Sequence, residues 1–139
     1  MPKILSNDDA YDIQFSAARP SGDWRVDHEV LLEVERLLGL THHIRIWRVG
    51  GSHTYGAYRY KDQQHWITIQ THLDTEEANK TFWHELVHAQ QKERQLSDPS
   101  VMTFRQQRKI YRYEDRPYEH EANRVSEAYS DKLKVIVDA

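Results

Sequence analysis

The chain has 139 residues, no cysteine and a formal net charge of -3, so it has material for one domain with a sizeable core and too little to expect two. Charges of both signs are interspersed, which argues against nucleic acid as a partner, and without thiols neither a disulfide framework nor a Cys-ligated zinc can form, so any metal must use histidine and carboxylate. Neither a signal-peptide core nor the roughly 20 apolar residues of a membrane span occurs, and the expectation is a cytoplasmic protein with no membrane partner; export without a cleavable signal stays open.

Residues 1–20 read as an N-terminal arm or short strand laid against a single domain that spans 1–139, closed by the break Arg19-Pro20-Ser21-Gly22. From Ser21 or Asp23 the pattern turns helical. Trp24, Val26, Val30, Leu31, Val34, Leu37 and Leu38 recur at three- and four-residue spacing, and Gly39 stops the run. His28, inside that helix, reads as solvated or hydrogen-bonded. Three alternating stretches follow, His43–Val49, Tyr55–Tyr60 and Trp66–Gln70, with Gly50-Gly51 and Lys61-Asp62-Gln63-Gln64 between them. They predict a three-stranded meander or small mixed sheet whose last strand borders the cleft and offers an edge to an extended peptide. His53, His65 and His72 read as solvent-facing, and His42-His43 as strand entry.

Asp74-Thr75-Glu76-Glu77 then caps a long helix, with no Gly or Pro from Asp74 through Ser97. In its middle stands His84-Glu85-Leu86-Val87-His88. Histidines four apart lie one turn of 3.6 residues from each other on one helix face, so both imidazoles can reach one divalent ion. Glu85 is placed to take a proton from water activated by that ion. Phe82, Leu86 and Ala89 occupy the opposite side and Trp83 and Val87 a third, which makes this helix central.

After a turn at Ser97–Ser100, Val101 through Tyr113 predicts a basic amphipathic helix carrying Arg105, Arg108, Lys109 and Arg112. Those charges read as a solvated face, with an anionic partner or substrate as the alternative. Glu114-Asp115-Arg116 is a loop, Pro117 opens the last helix, and the apolar tail to Val137 closes the core or adds a short strand.

A catalytic zinc usually has three protein ligands and one open position. Gln91 and Arg94 stand where another spacing would place Gly and a third His, and the stretch Arg116-Pro117-Tyr118-Glu119-His120-Glu121-Ala122-Asn123 offers Glu119, Glu121 or His120 instead. With both motifs in view the chain resembles the gluzincin branch of the zinc metallopeptidases, through His84-Glu85-x-x-His88 and Glu119-x-x-Ala122-Asn123. The resemblance covers about residues 55 to 130. It implies a zincin-like α+β fold, a small three-stranded sheet packed beside helices that include a central metal-binding helix. It also implies Zn2+ held by His84, His88 and Glu119, with Asn123 bonding the outer nitrogen of a histidine ligand. The implied activity is hydrolysis of peptide bonds in a peptide or protein substrate, with Glu85 as general base. An oxyanion donor is needed as well; Tyr111, Tyr113 and Tyr118 are the nearest candidates, and Tyr118, beside Glu119, is assigned the role. The alternative is a metal-holding interaction module with a zincin fold, inactive or dependent on a protein partner that completes the cleft.

Overall fold

The computed structural model describes residues 24–50 and 55–139; the arm expected over 1–20 and His53 lie outside them. Trp24–Val26 is a strand, β1, where the apolar spacing predicts helix. The helix α1 begins only at His28 and runs to Leu37, because the Asp27 carboxylate caps it by accepting from Val30 N at 3.2 Å. Upstream of that cap, Trp24 and Val26 pair antiparallel with Asp138 and Ile136. Gly39, at φ +66°, ends the helix segment in the left-handed conformation that glycine adopts without cost. His28 is exposed at the helix start.

Three strands form a mixed sheet: β2 (Ile44–Val49), β3 (Gly56–Lys61) and β4 (Gln64–Gln70), in the order β2-β4-β3. β2 runs parallel to β4, and β3 antiparallel to it, so this is no meander. A two-residue turn joins β3 to β4, with Asp62 and Gln63 both at positive φ, the backbone of a tight primed hairpin turn. β4 takes the centre because it is buried on both faces. The strand that borders the cleft is therefore β3, an edge strand, rather than β4.

Helix α2 (Thr75–Ser97) starts at Asp74, whose side chain accepts from Glu77 N at 2.8 Å. Phe82, Leu86 and Ala89 are fully buried and meet Ile67 and Ile69 of β4 together with Trp24, Leu31 and Val34. Helix α3 (Phe104–Ile110) is shorter than the Val101–Tyr113 span that the pattern predicts. A capping box between Thr103 and Gln106 sets its start, and extended backbone at Tyr111 ends it. A 3-10 turn, Tyr113–Asp115, leads into α4 (Pro117–Tyr129), with proline at its first position.

α4 packs back along α2. Glu121 lies opposite Arg94, Glu119 opposite His88 and His84, and Ser126 donates to the Lys80 carbonyl at 2.8 Å. The tail then forms β5 (Ile136–Asp138) against β1. Asn79 ties this tail to α2: its carbonyl accepts from Val135 N and Ile136 N, and its amide donates to Ser130 O. Trp83 adds an indole bond to Leu133 O at 2.8 Å. Among the described residues the molecule is α+β, with four helices and the small mixed sheet. No helix there is long and apolar enough to cross a membrane.

Candidate metal centre

Three side-chain atoms converge where α2 faces the first turn of α4. His84 Nε2 and Glu119 Oε1 are 3.0 Å apart, His88 Nε2 and Glu119 Oε1 are 3.2 Å apart, and the two imidazole Nε2 atoms are 3.2 Å apart. A tetrahedral ion bound at about 2.0–2.1 Å separates its ligand atoms by about 3.3 Å, so the triangle already has the size of one face of such a site. These three residues form the one His and carboxylate group among the described residues whose ligand atoms lie close enough for a shared ion. Glu121, two residues from Glu119 and so about 200° round the helix, points elsewhere and accepts from Gln91 and Arg94. His120 is exposed and bonds the Glu114 carbonyl.

The orientation of His88 follows from an amide. Gln91, one turn further on, donates through Nε2 to Tyr118 O at 3.0 Å and to Glu121 Oε1 at 2.6 Å. Both partners only accept, so the amide cannot be reversed, and its Oε1 must face His88 Nδ1, 2.8 Å away. Nδ1 therefore carries a proton, which leaves Nε2, facing the other two atoms, as the nitrogen that would offer a lone pair to an ion. Asn123, expected in this part, is exposed and lines an adjoining lobe of the cleft. Burial by itself would raise the Glu119 carboxyl, but hydrogen bonds from His84 and His88 overcome it and hold it at about 2. Burial opposes the charged form of His88, yet Glu119, Glu85 and Gln91 together raise it.

The ring of His88 is enclosed by Tyr118 at 5.4 Å, Phe104 at 5.7 Å and Tyr58 at 6.2 Å between centroids. Tyr118 is itself buried, its ring tilted against that of Phe104 with centroids 4.7 Å apart. Its ring is thus part of the dry wall behind the ligands. Tyr113 is 62% exposed and lines both lobes of the cleft beside His84 and Glu85. Burial and the negative charge of Glu119 and Glu85 push its hydroxyl up, so it stays a proton donor. Tyr118 and Tyr113 both line the lobe beside His84, Glu85 and Glu119, and Tyr113 alone of the two also lines the adjoining lobe; Tyr111 lines neither. Glu85 is 8% exposed, with its carboxyl pushed up by burial.

β3 reaches the helix at Gly56. A Cβ there would meet Thr81 Cγ2 at 2.4 Å and Thr68 O at 2.7 Å, with Glu85 Cγ at 3.6 Å. Only glycine lets the edge strand lie this close to the helix, directly over Glu85.

Behind the site runs a polar chain that the sequence reading did not find. His65, expected to face solvent, is fully buried. Tyr58 Oη lies 2.8 Å from His65 Nδ1 and His65 Nε2 lies 2.8 Å from Glu93 Oε2, while Glu93 also accepts from the backbone of Thr41 and His42. Burial lowers His65 although Glu93 opposes it, so a neutral imidazole accepts from Tyr58 and donates to Glu93. The signal was available: His65 shares its strand face with Ile67 and Ile69, both fully buried. His72 is exposed as expected.

No protein-family model matches the chain, and no curated protein matches it either.

Proposed function

We propose that the protein is a zinc-dependent metallopeptidase of zincin type. The observation that carries this reading is the meeting of His84, His88 and Glu119 at ligand spacing, with the buried Glu85 carboxyl beside them in one open cleft. Two imidazoles and a carboxylate suit zinc, and three protein ligands leave a position for substrate or water. A zinc ion held there would supply Lewis acidity, which lowers the pKa of water and polarises a carbonyl.

The chain's own groups do the rest. Glu85 takes the proton of the attacking water and returns it to the leaving amine; its burial favours the protonated form that must persist between the two transfers. Tyr113 donates its hydroxyl proton as a hydrogen bond to the substrate oxygen while that oxygen gains charge. The outer edge of β3, which no described strand pairs, offers backbone partners to an extended peptide, beginning at Gly56 beside Glu85. A general base in the cleft favours this reading over a metal-holding interaction module, which has no use for one.

The test is metal content by elemental analysis, on protein purified without a histidine tag, followed by hydrolysis of a quenched-fluorescence peptide mixture. Wild type is expected to hold one zinc per chain and to cleave peptides. His88→Ala and Glu119→Ala are expected to lose the metal, Glu121→Ala to keep it, and Glu85→Gln to keep it without cleaving. A wild type that stays metal-free when zinc is supplied would end the proposal.

A further inference from the structure

The lobe of the cleft next to the three ligand atoms has a volume of about 260 Å³, just under the roughly 300–1,000 Å³ of pockets that enclose a drug-sized ligand. It therefore fits a short stretch of substrate. Its charged lining is uneven. Glu85 and Glu119 stand on the α2 and α4 side, and Arg108 is the single Lys or Arg among its lining residues. Arg108 owes its place to α3: it lies four residues after Phe104, hence one turn further along the same helix face, and Phe104 is fixed against His88 and Tyr118.

The neighbouring cations are occupied or aimed elsewhere. Arg112 pairs with Glu114 and Asp115, and Arg116 covers the Tyr113 ring at 5.4 Å. Arg105 and Lys109 do not line the lobe. Arg108 is exposed and has no ion pair among the described residues. A guanidinium with no ion-pair partner among the described residues, lining a small lobe whose other charged groups are acids, is a receptor for a planar anion.

We infer that Arg108 is a specificity-determining residue, receiving a substrate carboxylate within the lobe that adjoins the ligand triad. This rests on the peptidase reading and names its substrate class: short peptides with a carboxylate near the bond cleaved. That carboxylate comes from an acidic side chain or from the peptide's own C-terminus. The bland alternative is that Arg108 only offsets the field of Glu85 and Glu119. In that case its loss would alter metal retention or the cleavage of every substrate alike.

The experiment uses zinc-loaded full-length protein and three matched peptide sets. One has an acidic side chain and an amidated C-terminus, one has a free C-terminus and no acidic side chain, and one has neither. Cleavage by wild type, Arg108→Ala and Arg108→Glu is measured as kcat/KM. Binding to the same peptides is measured by fluorescence anisotropy with Glu85→Gln as background. Wild type is expected to favour one carboxylate set by about 10- to 100-fold, the worth of a hydrogen bond to a charged group. Arg108→Ala should abolish that preference and Arg108→Glu reverse it, with the doubly neutral set and the zinc content unchanged. The favoured set identifies the source of the carboxylate.

A preference that survives in Arg108→Glu, or a wild type that treats all three sets alike, overturns the inference and leaves the peptidase reading standing. Zinc-loaded wild type that neither binds nor cleaves any set overturns both.

Discussion

Replacing Gln91 by leucine removes an amide from a site that is 4% exposed while keeping nearly the same volume, so packing changes little and the polar loss can be read directly. Three hydrogen bonds go: the one from His88 Nδ1 at 2.8 Å, and those to Tyr118 O at 3.0 Å and Glu121 Oε1 at 2.6 Å. Their partners are not left equal. Glu121 keeps Arg94 at 2.7 Å, and the Tyr118 carbonyl belongs to the α4 ladder. His88 Nδ1–H loses its acceptor among the described residues, inside an aromatic enclosure, a desolvation cost of about 1–3 kcal/mol. With the net loss of the other two bonds, at about 0.5–1.5 kcal/mol each, destabilisation of the metal-free protein should reach about 2–6 kcal/mol. Zinc affinity should fall by about 10- to 100-fold, because the imidazole is no longer held in one tautomer and orientation. Chelator competition measures the affinity, and urea denaturation with metal removed measures the stability. Asn123→Ala is the control and should change neither, since that side chain is exposed. If Gln91→Leu binds zinc as tightly as wild type, or if Asn123→Ala weakens binding as much, the tautomer assignment for His88 is wrong.

Gly56→Ala should destabilise by about 1–3 kcal/mol through overpacking, since its Cβ would collide with Thr81 Cγ2 and Thr68 O; Thr81→Ser in the same chain should restore only part of this in thermal denaturation, because the Thr68 carbonyl stays. Tyr113→Phe should lower kcat by about 100-fold with zinc content intact, whereas Tyr118→Phe should leave kcat near wild type; the opposite ranking in a peptide-hydrolysis assay would return the oxyanion role to Tyr118. The folded pKa values of His65 and Glu93 are both lowered, so their stabilisation is complete above the ordinary values near 6.5 and 4.5 and is lost as pH falls below each. Urea denaturation of metal-free protein should therefore show wild type losing its advantage over His65→Gln as pH drops from 7.5 to about 5.5, by at most about 1.4 kcal/mol per pH unit, and an advantage that grows toward acid would refute the neutral His65.

The sequence by itself determined whatever depends on neighbours along one chain. His84 and His88 share a face, and Glu85 stands between them, because helical geometry leaves no freedom at a spacing of four. Asp74 and Pro117 set the starts of α2 and α4 by satisfying or lacking the right backbone donors. The burial of Phe82, Leu86 and Ala89 follows from the same periodicity. Tertiary structure alone decided the rest. Glu119 and Glu121 differ by about 200° on one helix, so the docking of α4 on α2 settles which faces the histidines. Gln91 rather than Asn123 orients His88 because that docking brings Tyr118 O and Glu121 against the amide. Trp24 and Val26 became strand because a partner more than a hundred positions away pairs with them, which no local spacing can reveal. The order β2-β4-β3 puts β3 beside Glu85 and seats Gly56 against Thr81. Contacts between residues distant in sequence depend on how whole faces pack, and each face's own pattern fixes only which side turns inward.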